Sequence, residues 1–336
     1  MRLFTHINAA TIDEAVAALR QYGKRASIIA GGTDLLGKMK DEILPTYPEA
    51  LVNIKSIPGL DSIGYKEGNL VIGSLARLED IATNDVVKKE YPGLAEAARR
   101  TASTHLREMG TIGGNICQDI RCWYYRNPNN RFPCLRKGGG RCYAIKGDNR
   151  YHSIFGGSVE EGCYAVHPSD TAPALVALNA AITTTKRSVK AEDFFQVMPM
   201  KTTILDDDEI VTHIELPPPV GKSAFIKFAL RKAIDFPIVN CAAMLAIKGK
   251  KVVSARICLN AVYVKPYRPL AAEVAILGKA ITEANAEAAG AAAVGKAAPM
   301  TDNAYMVPVA KAMVKRAILG CLSERRRSLQ WLCACC

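Results

Sequence analysis

The sequence predicts an α+β protein in which an α/β region made of two subdomains is followed by a C-terminal antiparallel sheet with helices. In the first half, apolar residues at helical spacing alternate with short apolar runs that enter glycine-rich turns. Beyond residue 190, alternating strands come first and Ala- and Lys-rich helices come last. With 336 residues, 49% of them hydrophobic, the chain has the composition of a globular protein of two or three domains.

The first elements follow from local signals. Thr11 and Glu14 form a capping box for a helix with apolar residues at helical spacing, and Gly23 is placed to end it. An apolar run at 27–30 predicts a strand that enters the turn at 31–34. Further strands are predicted at 51–54 and 69–73, and helices at 78–89 and 93–103.

The segment 117–163 breaks this pattern. It has no sustained periodicity and is rich in Gly, Pro, Asn and Arg, and a stretch of this length without secondary structure is unusual inside a compact domain. Five of the 11 cysteines lie in it, and none precedes it: Cys117, Cys122, Cys134, Cys142 and Cys163. Under reducing conditions clustered thiols are more often metal ligands than disulfides. The segment is therefore predicted to be an insertion ordered by bound metal.

The remaining elements lie on either side of a domain boundary near residue 190. We predict a first domain at 1–190 with the insertion at about 118–163, a C-terminal domain at 191–325 and a tail at 326–336. A helix is expected at 171–178, strands at 181–185, 209–216, 224–230, 237–247 and 252–261, and helices at about 270–297 and 303–321. The cysteines of the tail suggest no function.

Charge and hydropathy limit the partners. Lys and Arg exceed Asp and Glu by 44 − 32 = 12, which favours an acidic ligand, protein or nucleic acid. The insertion is strongly basic through Arg121, Arg126, Arg131, Arg136, Lys137, Arg141, Lys146 and Arg150. Residues 1–6 lack the pattern of a secretory signal, and no apolar run reaches the roughly 18 residues of a membrane span. We therefore expect a cytoplasmic protein.

Two glycine-rich turns suggest a phosphate site, with the sequences AGGTDLL at 30–36 and TIGGNI at 111–116. Paired glycines allow backbone N–H groups to converge on an anion, and the neighbouring Thr and Asn side chains add donors. Together the turns suit a pyrophosphate. Neither has the spacing of the dinucleotide fingerprint or of the P-loop, and each alone could be a plain turn.

The pair of turns resembles the FAD-binding subunit of the molybdenum hydroxylases, the family of xanthine dehydrogenase and carbon monoxide dehydrogenase. Further similarity lies at 167–175 (HPSDTAPAL), 225–228 (FIKF) and 231–240 (RKAIDFPIVN), so it runs nearly end to end. The resemblance implies a PCMH-type FAD-binding domain of two subdomains, followed by the family's C-terminal flavoprotein domain.

The resemblance also implies which residues contact FAD. Two groups would hold the pyrophosphate: Ile29, Ala30, Gly31, Gly32, Thr33, Asp34, Leu35 and Leu36 in the first turn, and Thr111, Gly113, Gly114 and Asn115 in the second. Thr101 and Gln118 would lie near the flavin or ribityl chain. Asp170 would contact the ribose or adenine side, and Val211 and Lys227 the isoalloxazine ring. From the residues alone, Lys227 would be a solvent-facing strand residue and Asp170 a helix N-cap.

The insertion resembles that of the β subunit of 4-hydroxybenzoyl-CoA reductase, in which four cysteines hold a [4Fe–4S] cluster beside FAD. The implied ligands are Cys122, Cys134, Cys142 and Cys163, although the stretch between the last two is longer here. Zinc would accept the same four sulfurs, but no pair among these four has the close spacing of structural zinc modules, although Cys117-x₄-Cys122 comes near. Cys117 would be a spare thiol beside the flavin.

The implied function is electron transfer, with no catalytic residue on this chain. Its partners would be a large molybdopterin subunit, a small [2Fe–2S] subunit and an external redox partner, ferredoxin or NAD. The basic insertion would attract an acidic ferredoxin or offset the charge of the cluster. Two alternatives stay open: the flavin subunit of a xanthine, aldehyde or carbon monoxide dehydrogenase, and a basic zinc-binding nucleic-acid module.

Overall fold

The computed structural model describes residues 1–157, 162–198 and 201–322. The strands are β1 (Thr5–Asn8), β2 (Ala26–Ile29), β3 (Ala50–Asn53), β4 (Ile63–Lys66), β5 (Asn69–Gly73), β6 (Ala181–Thr184), β7 (Ser188–Lys190), β8 (Phe195–Met198), β9 (Lys201–Thr203), β10 (Val211–Leu216), β11 (Lys222–Phe228), β12 (Val239–Lys248) and β13 (Lys251–Asn260). The helices are α1 (Ile12–Tyr22), α2 (Leu35–Lys40), α3 (Leu78–Thr83), α4 (Asp85–Glu90), α5 (Pro92–Arg99), α6 (Thr104–Arg107), α7 (Ile112–Cys117), α8 (Thr171–Ala177), α9 (Ala191–Phe194), α10 (Leu270–Ile276), α11 (Glu283–Ala293) and α12 (Met306–Gly320). None of the helices described here is long and apolar enough to cross a membrane.

The first subdomain is a small parallel sheet covered by α1. Its strands lie in the order β1-β3-β2, and Leu19 of α1 packs with Val52 of β3. The helix begins where the sequence predicts, because Thr11 Oγ1 accepts a hydrogen bond from the Glu14 N–H (3.1 Å), and it ends at Gly23, whose φ is +54°. The strand that follows α1 delivers the chain to the first glycine-rich turn.

The second subdomain contains a five-stranded antiparallel sheet in the order β4-β5-β10-β6-β7. Ile72, Ile182 and Ile214, from three neighbouring strands, are buried against the helices. The sequence assigned the 209–216 strand to the C-terminal sheet, and this is wrong: β10 pairs with β5 and β6. Alternating apolar residues predict a strand but do not specify its partner, so the chain returns to the first domain's sheet after residue 190.

The C-terminal domain packs the antiparallel sheet β11-β12-β13 against α10, α11 and α12. The single helix predicted at 270–297 is two helices, because α10 ends before Gly278, whose φ is +75°, and Thr282 caps α11. The helix predicted at 78–89 also divides. The Asn84 side chain accepts hydrogen bonds from the backbone N–H groups of Val86 and Val87 and so starts a new helix.

The described part of the predicted insertion, 118–157 and 162–163, contains no α-helix or β-strand, as expected from its lack of periodicity. Three 3₁₀ turns and a small apolar core order it, and Tyr125, Cys134 and Cys163 lie in this core with Val264 of the C-terminal domain. The Asn303 side chain donates hydrogen bonds to two backbone carbonyls of the insertion, those of His152 and Ser153. The insertion is therefore held between the two domains.

Candidate functional site

The two glycine-rich turns meet at a cavity of about 400 Å³ between the two subdomains and the loop that precedes β12. Fourteen of the seventeen residues predicted to contact FAD line it: Ala30, Gly31, Gly32, Thr33, Asp34, Leu35, Thr101, Thr111, Gly113, Gly114, Asn115, Gln118, Asp170 and Val211. The cavity therefore joins the parts of the chain that the sequence pattern singled out, although they are spread over about 180 residues.

Close backbone approach explains the glycines. A Cβ atom on Gly31 would lie 2.1 Å from the carbonyl oxygen of Met109, and one on Gly113 would lie 2.8 Å from that of Ser74. Gly32 has a φ of +71°, which disfavours any other residue. A side chain at Gly31 would push the first turn away from the residues just before the second, and one at Gly113 would push the second turn away from Ser74. The turns thus form a cradle that is open to backbone contacts, as a pyrophosphate requires.

Three predicted contacts do not line the cavity. Ile29 is buried in a separate cluster with Met39 and Leu51, and Leu36 is exposed on α2. The sequence predicted contacts for the whole range 29–36. Ile29 is the last residue of β2 and Leu36 lies in α2, and neither lines the cavity. The third residue, Lys227, reaches the site through another side chain.

Lys227 and Asp170 form a buried ion pair at the end of the cavity. The Lys227 Nζ lies 2.6 Å from Asp170 Oδ2, and Asn240 Nδ2 donates to Asp170 Oδ1 (2.7 Å). Burial raises the pKa of Asp170, while Lys227 and Asn240 oppose the rise. Lys227 also donates to the carbonyl of Arg100. Lys227 is thus not a solvent-facing residue, and the Asp170 side chain makes no N-cap hydrogen bond to α8.

The cavity is also lined by residues that no sequence motif had singled out. Ser74 has a buried hydroxyl without a hydrogen-bond partner in the described chain, and such an orphaned donor suits a ligand. Ala102 and Ile234 both have positive φ values, +49° and +68°, and the Ile234 N–H donates to the Ala102 carbonyl (3.0 Å). Positive φ is unusual for a β-branched residue. Only the resemblance at 231–240 pointed to the loop of Ile234.

Ion pairs beneath the first turn connect it to the insertion. Asp34 pairs with Arg126 (2.7 Å) and accepts a hydrogen bond from the Asp119 N–H (3.0 Å). Asp119 in turn pairs with Lys38 and accepts a hydrogen bond from the Tyr125 hydroxyl (2.6 Å). Burial would raise the pKa of Asp34, but Arg126 and its other cationic neighbours outweigh it and lower the pKa. Ion pairs and hydrogen bonds therefore connect the first glycine-rich turn to the insertion.

The four predicted cluster ligands come together. Cys122, Cys134, Cys142 and Cys163 line one narrow cavity, with Tyr124, Tyr125 and Tyr143 among its other walls. The spare thiol, Cys117, lies apart in the wall of the larger cavity, and burial raises its pKa to about 12, so it stays a thiol. The free volume among the four cysteines is about 10 Å³. A cluster can be held there only if the surrounding loop moves outward.

Two buried cations accompany these cysteines. Arg136 is 1% exposed, and two of its guanidinium nitrogens, Nε and Nη1, have no hydrogen-bond partner in the described chain. The Lys137 ammonium group is likewise buried without one. Burial lowers the pKa of Lys137, and Cys134 and Cys122 oppose this shift. Buried charges are normally paired, so the chemistry of this cavity suits a negatively charged group such as a thiolate-ligated cluster.

A single metal ion fits the cysteines less well. Within the described ranges, no group of three or more His, Cys, Asp or Glu side chains is placed to hold one ion. Zinc bound at about 2.3 Å by four sulfurs would need them closely spaced around one point. A four-iron cluster is larger and bridges ligands that lie further apart.

Comparison with known families matches the chain in two adjoining parts. The family described as the FAD binding domain in molybdopterin dehydrogenase covers residues 2–219. The family described as the CO dehydrogenase flavoprotein C-terminal domain covers residues 224–321. The first match contains both glycine-rich turns and β10.

Individual proteins show the same likeness. The aldehyde oxidoreductase FAD-binding subunit PaoB of Escherichia coli is 34% identical over 97% of this chain and 99% of its own. The carbon monoxide dehydrogenase medium chain of Hydrogenophaga pseudoflava is 29% identical over 92% and 93%. A solved structure of carbon monoxide dehydrogenase from the same organism superposes with a TM-score of 0.74 at 27% identity, covering 95% of this chain and 97% of that one.

Proposed function

This chain belongs to the FAD-binding subunits of the molybdenum hydroxylase family, and we propose that it carries a [4Fe–4S] cluster beside FAD and relays electrons through both. Proteins of this family are subunits of oxidoreductase complexes. In the proposed complex, a large molybdopterin subunit transforms the organic substrate and a small [2Fe–2S] subunit passes electrons to or from this chain.

We propose that FAD binds in the cavity of about 400 Å³, which is called the FAD cavity below. Backbone N–H groups at Gly31 and Gly32 would hold the pyrophosphate, and the Ser74 hydroxyl is free to donate to the ligand. Lys227 does not line the cavity and would act on FAD through Asp170, whose carboxylate it holds in the cavity wall. When bound, FAD supplies both one-electron and two-electron exchange.

One observation carries the cluster proposal: four cysteines separated along the chain converge on a cavity that Arg136 also lines, and the buried Lys137 ammonium group lies near two of them, Cys134 and Cys122. Arg136 and Lys137 would offset the negative charge of the ligands. Because Arg136 and Lys137 are buried, they are better placed to offset the charge of a cluster than to bind nucleic acid. The closeness to 4-hydroxybenzoyl-CoA reductase stays a prediction, as does the cytoplasmic location.

Exposed cations of the insertion suit an acidic redox protein. Arg131, Arg141 and Lys146 are exposed, and Arg141 lies over the ring of Tyr143 (4.5 Å), which lines the cysteine cavity. A ferredoxin docked there would be near the cluster. NAD is the alternative, and it would exchange hydride with the flavin directly. The test measures flavin reduction by reduced ferredoxin and by NADH in the wild type and in the double variant Arg131→Glu/Arg141→Glu. Ferredoxin is supported if the double variant is no longer reduced by ferredoxin and NADH reduces neither protein. NAD is supported if NADH reduces the flavin.

For the organic substrate, an aldehyde is favoured because the relative at 34% identity is an aldehyde oxidoreductase subunit. Reductive removal of an aromatic hydroxyl from a CoA thioester is the second candidate, and the cysteine insertion motivates it. Assaying the purified complex with both substrates separates the two, since electrons flow in opposite directions.

The cluster is tested by matched cysteine variants. Cys142→Ser should lose most of the iron and keep FAD, whereas Cys117→Ser, outside the cysteine cavity, should keep both. Iron content and the visible spectrum of anaerobically purified protein are the readouts. Equal iron in both variants, or zinc in place of iron, would contradict the proposal.

A further inference from the structure

We infer that His152 is a positioning residue for the proposed cluster: its Nε2–H donates a hydrogen bond to the sulfur of Cys122 and raises the reduction potential of the cluster. This inference rests on the proposed function. It adds a residue that the cysteine pattern does not contain and that no histidine spacing in the sequence indicates.

The contact is direct and the ring is fixed. The His152 Nε2 lies 3.2 Å from Cys122 Sγ, and the residue is 1% exposed. The His152 N–H donates to the Asn149 carbonyl, and the His152 carbonyl accepts from Asn303 Nδ2 (2.9 Å). Trp123 lies beside the imidazole at 5.9 Å between ring centroids. The imidazole therefore has little freedom to turn away from the sulfur.

The chemistry of the sulfur decides which atom donates. A ligating thiolate offers only lone pairs, so the contact is favourable when Nε2 carries the hydrogen. His152 Nδ1 is buried and makes no hydrogen bond of normal geometry in the described chain. An N–H group near a ligand sulfur stabilises the more negative, reduced form of the cluster. Hydrogen bonds to the sulfurs are one of the means by which proteins set cluster potentials.

Cys122 also lies next to a second cavity, which adjoins the FAD cavity. It lines both the cysteine cavity and this second cavity, of about 370 Å³. Arg121 and Phe236 line this second cavity and the FAD cavity alike. A hydrogen bond at Cys122 therefore lies where the cysteine cavity borders the second cavity, on the way to the FAD cavity. If the cluster has a lower reduction potential than FAD, we expect this hydrogen bond to reduce the difference between the two potentials.

The test compares variants with and without a donor at this position. His152→Phe and His152→Leu remove it, and His152→Gln keeps an amide N–H. His105→Phe, at an exposed histidine, is the matched control. Iron content and a potentiometric titration followed by electron paramagnetic resonance are measured on anaerobically purified, FAD-loaded protein.

We expect the donorless variants to keep iron and to show a more negative cluster potential and an altered resonance spectrum. His152→Gln should restore part of the shift, and His105→Phe should match the wild type. One donorless variant that keeps iron is enough for the comparison. If that variant has an unchanged reduction potential, this inference is overturned and the proposed function is not. Loss of iron from both donorless variants also overturns the inference, because His152 would then be a ligand or a packing residue. A wild-type protein with FAD but no iron overturns the proposed function as well.

Discussion

The Nζ of Lys227 lies 2.6 Å from Asp170 Oδ2, and only 3% of each side chain is exposed. The pair joins β11 of the C-terminal domain to the first residue before α8, at the end of the FAD cavity. Asn240 of β12 completes it by donating to the other carboxylate oxygen. The relative placement of the two domains around the flavin site therefore depends in part on one ion pair.

Removing the cation should be costly, since it leaves a buried carboxylate without its partner. We expect Lys227→Met to lower the free energy of unfolding by about 3–5 kcal/mol. The double variant Lys227→Met/Asp170→Asn removes both charges and should recover a large part of that loss. Urea denaturation measures both. A double variant as unstable as Lys227→Met would contradict the role assigned to the pair.

A methyl group on the first glycine turn should weaken FAD binding. The Cβ of Gly31→Ala would meet the Met109 carbonyl oxygen at 2.1 Å, so the two turns must separate. We expect FAD affinity to fall at least tenfold, which is about 1.4 kcal/mol. Gly37→Ala is the control, because nothing lies within 4 Å of its Cβ on α2. The ratio of flavin to protein absorbance reads both out, and similar FAD content in the two variants would count against the cradle.

The ion pair between Arg126 and Asp34 should couple FAD binding to the order of the insertion. Arg126→Ala leaves Asp34 with the longer ion pair to Arg121 (3.4 Å) and the hydrogen bond from the Asp119 N–H, and we expect a loss of about 3–5 kcal/mol of stability with weaker FAD binding. Arg25→Ala breaks an exposed pair with Glu49 and should cost about 0–1 kcal/mol. Thermal unfolding and limited proteolysis of the insertion measure the effects. Equal behaviour of the two variants would show that the buried pair does not link the turn to the insertion.

Glu209, in the wall of the FAD cavity, should make stability depend on pH in the acid range. Burial raises its pKa, but hydrogen bonds from Arg187, Thr184 and the Asp206 N–H outweigh this and lower it to about 2. A carboxyl with a lowered folded-state pKa stabilises the fold above its ordinary pKa near 4.5, and this is lost as the pH falls toward 2. The difference in unfolding free energy between wild type and Glu209→Gln should therefore shrink from pH 7 to pH 2.5. A constant difference would contradict this assignment.

Local signals predicted the parts of the structure that depend on near neighbours. The capped helix α1 and the two glycine-rich turns are specified by residues within a few positions of each other, and the sequence located them closely. The four cysteines were found for a similar reason, because an aperiodic loop rich in thiols stands out. Their convergence on one cavity agrees with the sequence-based ligand set, while their ligation stays a prediction.

Contacts between residues far apart in the chain could not be predicted from the sequence. The pairing of β10 with β5 and β6 depends on which sheet edges are available, and an alternating strand does not encode that. The burial of Arg136 and Lys137 could not be seen, because a run of basic residues resembles an exposed face. His152 lies 30 residues from Cys122 along the chain, and only folding brings its Nε2 to the sulfur.

The most direct test is to count flavin and iron in the anaerobically purified full-length protein. The proposal that one chain holds both cofactors predicts one FAD and about four irons per chain, with matching acid-labile sulfide. One FAD without iron, or FAD with a single zinc, would contradict it.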